Sequence, residues 1–489
     1  MRAGFALCAV AASFLASAPA ANETEQHLTL DQGRALAVHA LKTGNPGLAL
    51  RVSDGLLQAN SKDPLALMLR AAAYARLDEP AKGRKSAVRA YRFAKAPAEK
   101  FQAAQLASRL SLAAGSPTMS QFWLRRTAVH ASDPKSEERI AKDYQVLRRI
   151  NPWSFRLSGG VKPSNNVNNG ADSATQIIDG LPVYGDFGPH AVALSGIVGT
   201  VDLGISRRLR QSKTSQTTVS GRLYLQRVAL SSSAKKFAAD LVEAAIIEDC
   251  YDDENGDRIC QEIRPFEMPR NSDFGSTFGE LSLRHSFAVG PPGSKGSASL
   301  ALTRSTAWYG GRKTYDSNKL SASRSWQLST GSRITFDGSF EDRFNARSAS
   351  YRGTVLGFGS NFTHKLKNGN TLNLTFGLRE TKTGSVNTTS SAASFRVGYE
   401  LGKSLGPATV NTGLILGYSD YPAYSTQLGV IPGGRQDQSI YADVNLFFED
   451  YDYAGFAPML RVRAGKKFSN HSRFETKELS VSLGIESKF

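Results

Sequence analysis

Two periodicities divide this chain, and the stretch NPWSFRLSGGVKPSNNVNNG, Asn151 to Gly170, marks the change. Before it, apolar residues recur at the spacing of helix faces; after it they alternate one by one for more than three hundred residues. In the first part Thr29-x-x-Gln32 reads as a capping box, followed by Leu36, His39, Ala40 and Thr43 on one face. Prolines recur at Pro64, Pro97 and Pro134, each after a helical stretch, which leaves room for two helices and their turns per interval. A last helix follows Asp133-Pro134, with Ile140, Tyr144, Leu147 and Ile150 on one side. It ends at Asn151-Pro152, because a residue before proline is pushed out of helical geometry.

After Trp153 the period is two. Leu372, Leu374, Phe376 and Leu378 interleave with Asn373, Thr375 and Gly377, and the same alternation returns at Ile440–Phe448 and Leu479–Ile485. Segments bounded by Gly, Asn, Ser or charge predict fourteen strands, from 153–163 through 369–383 to 474–489, an even number as bacterial outer-membrane barrels require. The long connections, about 164–192, 230–273 and 420–436, all follow odd strands. Those after even strands, such as Thr330-Gly331 and Asn368-Gly369, are short. A soluble sandwich predicts no such parity. The predicted fold is therefore two-domain α + β: an N-terminal helical repeat domain followed by a 14-stranded antiparallel transmembrane barrel. Trp153 falls where an amphipathic ring anchors at a membrane rim, and Pro163 to Asn169 reads as a polar loop leaving the membrane.

The N-terminus sets the expected compartment. Arg2, the apolar run Ala3–Leu15 and Ala18-Pro19-Ala20 read as a signal peptide over residues 1–20, ahead of a periplasmic helical domain at 21–150 and a barrel at 151–489. Cys8 lies within that signal, so Cys250 and Cys260 remain, and an exported pair ten residues apart is most simply a disulfide. No segment offers the twenty or so apolar residues of a membrane helix, so any membrane insertion must use strands.

Charge adds a candidate surface. The chain carries a net charge of +17, and residues 21–152 hold 21 basic against 12 acidic residues. Lys82, Arg84, Lys85, Arg89, Arg92 and Lys95 follow one another with no acid between them, a candidate face for an acidic client, although such runs are more often solvated helix faces. CYDDENGDRIC at 250–260 supplies hard oxygens, but with Gly256 at the sixth position of a calcium loop Tyr251 would be the first ligand, so a solvated acidic loop is expected. No catalytic elbow or phosphate loop is present, His285 and Ser286 point to opposite faces of a strand, and neither an enzyme nor a cofactor nor nucleic-acid binding is expected.

The 34-residue period with a proline resembles the tetratricopeptide repeat. The Asn-Pro-Trp opening, the short strand and the Ser-Asn-x-x-Asn tract, set between helix-hairpin repeats and a fourteen-stranded barrel ending in Phe, resemble the Slam family of surface lipoprotein assembly modifiers. Gly484, Ile485 and Phe489 resemble a C-terminal signal read by the outer-membrane barrel assembly machinery, with Trp153 as the barrel start. The resemblance implies a translocator in the outer membrane of a Gram-negative bacterium, whose periplasmic repeats receive a protein client, a surface lipoprotein or a small secreted protein. A polysaccharide exporter or a general porin are the alternatives. The residues leave open whether a client would pass through the lumen or along a seam between the first and last strands.

Overall fold

The computed structural model describes residues 28–172, 175–178, 181–252, 254, 258–290, 296–426, 429–453 and 456–487. The expected signal peptide at 1–20 and Phe489 lie outside the described residues. The chain divides after Gly115 into two compact units.

Among the described residues, seven helices precede the barrel: α1 (Leu30–Lys42), α2 (Pro46–Ala59), α3 (Pro64–Arg76), α4 (Pro80–Phe93), α5 (Pro97–Ala113), α6 (Pro117–Ala128) and α7 (Pro134–Ile150). Six of them begin on proline, whose missing N–H is one that the first turn cannot use anyway and whose fixed φ suits a helix start. Pro64, Pro97 and Pro134 therefore open α3, α5 and α7 as much as they close what precedes them. Pro46, Pro80 and Pro117 carry the same signal for the helices between. Thr29 and Gln32 form the capping box, and Asn45, Asp63 and Asp133 cap α2, α3 and α7 through their side chains.

Small residues make the contacts of the first unit. Ala66, Ala71, Ala73, Ala87, Ala90, Ala103, Ala104 and Ala107 are fully buried. A Cβ at Gly83 would lie 2.9 Å from the Ala71 carbonyl oxygen, so α4 approaches α3 at backbone distance. On α1 a Cβ at Gly33 would lie 3.0 Å from Leu56 of α2, and the buried face differs from the expected one: Gly33, Ala37 and Ala40 are buried, Leu36 is half-buried, and His39 and Thr43 face solvent. The structure is that of tetratricopeptide-like helical hairpins.

The second unit, Ser116–Phe489, contains α6, α7 and the barrel. Its strands are β1 (Trp153–Ser164), β2 (Gly196–Gln211), β3 (Ser215–Leu230), β4 (Ser276–Ala288), β5 (Ser297–Tyr309), β6 (Arg312–Ser329), β7 (Ser332–Phe344), β8 (Gly353–Lys365), β9 (Thr371–Thr383), β10 (Ser390–Glu400), β11 (Thr409–Tyr421), β12 (Arg435–Phe447), β13 (Phe456–Ser469) and β14 (Thr476–Ser487). Each pairs antiparallel with its chain neighbours, and β1 pairs with β14 to close the barrel. The expected strand count holds, and the expected boundaries hold to within a few residues.

Alternation decides the faces. Leu283, Leu302, Leu320, Phe340 and Leu356 lie opposite one another across β4 to β8 and are 46–58% exposed. Such a continuous apolar row is unfavourable against water and fits a hydrocarbon belt. Closure leaves no strand edge bare in lipid except where a seam is imperfect. Loop parity also holds: 165–195, 231–275 and 422–434 are the long connections and share one end, hereafter the loop end. The turns 212–214, 330–331 and 366–370 lie at the other, the turn end, where α7 enters β1.

Candidate functional site: the barrel lumen, its two ends and its closing seam

At the turn end the α6–α7 hairpin is built into the rim. Asn151, 2% exposed, is the joint: its side-chain oxygen accepts from the Trp153 N–H (3.0 Å) and the Thr118 hydroxyl (3.2 Å), while its amide donates to Gln121 (2.7 Å). One side chain thus ties α6, the end of α7 and the start of β1 together. Arg125 on α6 donates to Ser487 on β14 (2.9 Å) and to the Tyr144 hydroxyl on α7 (2.9 Å), and its guanidinium lies 4.8 Å from the Phe456 ring centre on β13. From β2, Arg208 donates to the carbonyls of Arg149 and Asn151, capping the last turn of α7. Trp153 stacks on Phe155, with the Arg207 guanidinium 5.1 Å from its ring.

The lumen wall is polar and charged with both signs. Arg222 and Asp202 form a bidentate pair (2.9 and 2.7 Å), Arg396 pairs with Asp443 (3.0 Å), and Arg343 with Glu341 (2.9 Å). A recess of about 380 Å³ is lined by Glu280, Lys319, Glu341, Arg343 and Arg379. Arrays of paired opposite charges hold a wet passage without fixing one ion sign, unlike a ring of a single sign. A second cavity of about 480 Å³ lies at the β1–β14 seam and includes Lys162, Asp202, Arg461, Arg463 and Glu478.

At the loop end the long connections fold into a cap. The asparagine tract supplies side chains that act in place of a ladder: Asn166 pairs with both backbone groups of Gly170 (2.9 and 2.8 Å), and Asn168 accepts from the Leu194 N–H (2.9 Å) and donates to Val192 (2.7 Å). This brings Val167, Val192 and Leu194 onto the lumen-facing pair Val198 and Val228. Helix α8 (Ser232–Ala244), capped by Ser231, adds Ala234 and Ala238 to the same core. The expected polar loop is therefore an ordered element, and the mouth beside β1–β3 is covered by an apolar lid.

Beside this lid, in the connection into β14, His471 is 3% exposed and lies among Phe187, Tyr424 and Phe474, with ring centres at 5.5–6.2 Å. Arg435 is stacked on Tyr421 and Phe474 at 3.5 and 3.6 Å. Burial, and then the nearby Arg435 and Arg473, push the His471 pKa below its ordinary value.

The predicted site residues fall into three places. On α4 in the first unit, Lys82, Lys85, Arg89 and Arg92 form one exposed stripe opposite the buried Gly83, Ser86, Ala87 and Ala90, with Arg84 half-buried and Lys95 exposed just beyond the helix. Lys82 also pairs with Glu79. Cys250 and Cys260 form a disulfide across a two-stranded hairpin, Ile247–Asp252 with Arg258–Ile263, in the connection after α8. Asp253, Asn255, Gly256 and Asp257 of its acidic tip lie outside the described residues. Among the described residues no cluster could hold a metal ion. Trp153, Gly484 and Ile485 sit at the seam. Arg125, Asn151, Arg208 and His471 escaped the sequence reading, although Asn151-Pro152 marked the joint.

No family model matches this chain, and no curated protein matches its sequence. Among solved structures, the first TPR domain of human RPAP3 shares 14% identity over 25% of this chain and 96% of that one, with a TM-score of 0.22. A bacterial polysaccharide outer membrane secretin shares 9% over 68% of this chain and 98% of that one (TM-score 0.31), and OccAB3 of Acinetobacter baumannii 9% over 68% and 98% (TM-score 0.34). These are likenesses of fold.

Proposed function

We propose that this chain is an outer-membrane translocator that receives a polypeptide client in the periplasm and delivers it to the cell surface, as the resemblance to the Slam family implies. The observation that carries the reading is the rim: the last helical hairpin is bonded through Asn151 and Arg125 to strands β1, β13 and β14, so a repeat-type receiving element is part of the barrel's own entrance. A porin has no use for that hairpin. The client is a surface lipoprotein or a small secreted protein; the turn end faces the periplasm and the lidded loop end the exterior. Insertion is assigned to the barrel assembly machinery acting on Gly484, Ile485 and Phe489. We assign no catalytic step and no cofactor.

The polar recess lined by Glu280, Lys319, Glu341, Arg343 and Arg379 favours one second reading, a polysaccharide exporter, since a hydrated polymer needs a wall of hydrogen-bonding groups. A deletion strain separates the two. Loss of particular proteins from the set labelled on intact cells by membrane-impermeant biotin supports the translocator. An unchanged labelled set with sugar polymer accumulating in the periplasm supports the exporter. Loss of small-solute uptake alone supports a porin.

A further inference from the structure

We infer that the β1–β14 seam is a lateral gate that unzips from the turn end and offers the freed edge of β1 to an extended segment of the client; the inference rests on the translocator reading.

The seam is the weakest in the wall. Among the described residues it holds only the pairs Gly159–Ile485, Gly160–Gly484, Val161–Leu483 and Ser164–Ser480, whereas β10 and β11 keep ten consecutive pairs from Ser391–Asp420 to Glu400–Asn411. The sequence explains the deficit. Pro163 has no N–H to donate, and the pairs beside it are missing. Gly159, Gly160 and Gly484 meet backbone to backbone: a Cβ at Gly160 would lie 2.9 Å from the Leu483 oxygen, and one at Gly484 2.8 Å from the Gly159 oxygen. No side chains interlock there, so parting the strands there breaks few hydrogen bonds and almost no packing.

The weakness is polarised. Toward the turn end the strands part: Glu486 and Ser487 still pair with Ala457 and Phe456 of β13, but Ser158 and Leu157 pair with β2 alone. At Leu157 and Ser158, which the register sets against Ser487 and Glu486, the edge of β1 facing β14 has no ladder partner among the described residues. A backbone edge at membrane depth is costly unless it is paired, so it is a template for an incoming strand. The loop end, in contrast, is latched. Lys162 pairs with Glu478 across the seam (3.1 Å), the Lys477 N–H donates to Asp172 (2.9 Å), the Asp172 N–H to Glu475 (3.1 Å), and the Ile177 N–H to Ser472 (2.8 Å).

The seam cavity fits the same traffic. It is lined by the lumen-facing Lys162, Ser480 and Ser482 and reaches the strand segments Ser158–Gly160 and Ser482–Glu486 on both sides of the seam, so it lies against the weak stretch itself. A lipid-bearing polypeptide presents this problem: its chain needs a polar path and its acyl groups an apolar one. A seam between lumen and bilayer offers both at once, which a closed pore does not. Arg125 binds Ser487 at the mouth of this opening and Asn151 binds Trp153 of β1, so the helical hairpin grips both strands that border it.

The test locks the seam. Val161→Cys with Leu483→Cys, directly opposed residues, is oxidised to a cross-link; Leu414→Cys with Ala442→Cys locks the ordinary β11–β12 pair as control. The single variants check that each substitution leaves a folded barrel. In phosphatidylethanolamine–phosphatidylglycerol vesicles, hydrogen exchange at β1 and β14 amides should be about tenfold faster than at β11 and β12, and locking should abolish the difference. In cells, the surface proteins lost on deletion should also be lost from the seam-locked variant, return with reductant, and persist in the control. Surface labelling that persists with the seam locked overturns the gate and leaves the translocator standing. A deletion that removes no surface protein overturns the translocator, and equal exchange at both strand pairs then overturns the seam as well.

Discussion

Placing one arginine on adjacent residues of β6 asks whether the assigned faces are right. Leu320 lies between Leu302 and Phe340 on the apolar row, while Ser321 lies between Ala301 and Ser339 on the lumen side. Strand β5, Ser297–Tyr309, is centred on Thr303, so Leu302 and its partner Leu320 sit one residue from mid-height. With about 3.3 Å rise per residue and a tilt near 40°, that is roughly 3 Å from the bilayer centre. Arginine on the lipid face at that depth costs about 2–4 kcal/mol. Leu320→Arg should therefore lower the folded-to-unfolded ratio roughly 30- to 1,000-fold. Ser321→Arg projects into a wet lumen beside Lys319 and should shift stability by less than about 1 kcal/mol. Urea titration of vesicle-inserted protein, read by tryptophan fluorescence and by heat-modifiable gel migration, measures both. Equal losses at the two positions would refute the register and with it the lipid belt.

Three further expectations follow from other parts of the molecule. His471 is neutral and buried in the folded cap with a lowered pKa, so protonation favours the opened loops: as pH falls below the unfolded value of about 6.5 the cap loses stability, and protease cleavage within 165–195 and 470–475 should rise. His471→Phe fits the aromatic surround and should remove that pH dependence; an unchanged profile would clear His471 of the effect. Gly83→Val drives side-chain carbon against the Ala71 backbone and should cost about 1–3 kcal/mol in thermal unfolding of the helical signal, with an unshifted transition contradicting the α3–α4 approach. An epitope inserted after Glu267 should be reached by antibody on intact cells and one after Thr330 only after permeabilisation; the reverse pattern would invert the topology.

Residue patterns made the barrel legible because its physics is local. Each strand must alternate to face lipid and lumen, so Leu372–Leu378 and Leu479–Ile485 show their faces without reference to a partner. The odd-even loop lengths follow from the same closed meander. Helix existence was equally legible, yet the packing face of α1 was not, since Gly33 and Ala37 bury themselves by letting a neighbour approach rather than by being apolar. The asparagine tract looked like an exit loop because nothing in Asn166 or Asn168 announces that their amides will bind Gly170 and Val192, 4 and 24 residues away. Arg125 could not be read at all: its partner Ser487 is 362 residues distant, and only closure of the barrel brings them together. The same holds for the seam, whose pairing deficit depends on Pro163 and three glycines meeting across the two ends of one sheet.

The central claim is that the helical repeats receive a client and the barrel releases it. Removing 29–115 while retaining α6, α7 and the barrel tests it most directly, because the chain divides into compact units at that boundary. The shortened protein is predicted to insert as a heat-modifiable barrel, and the biotin-labelled surface proteins that vanish in the full deletion are predicted to stay absent. A shortened barrel that restores the complete surface set would contradict the division of labour on which the account rests.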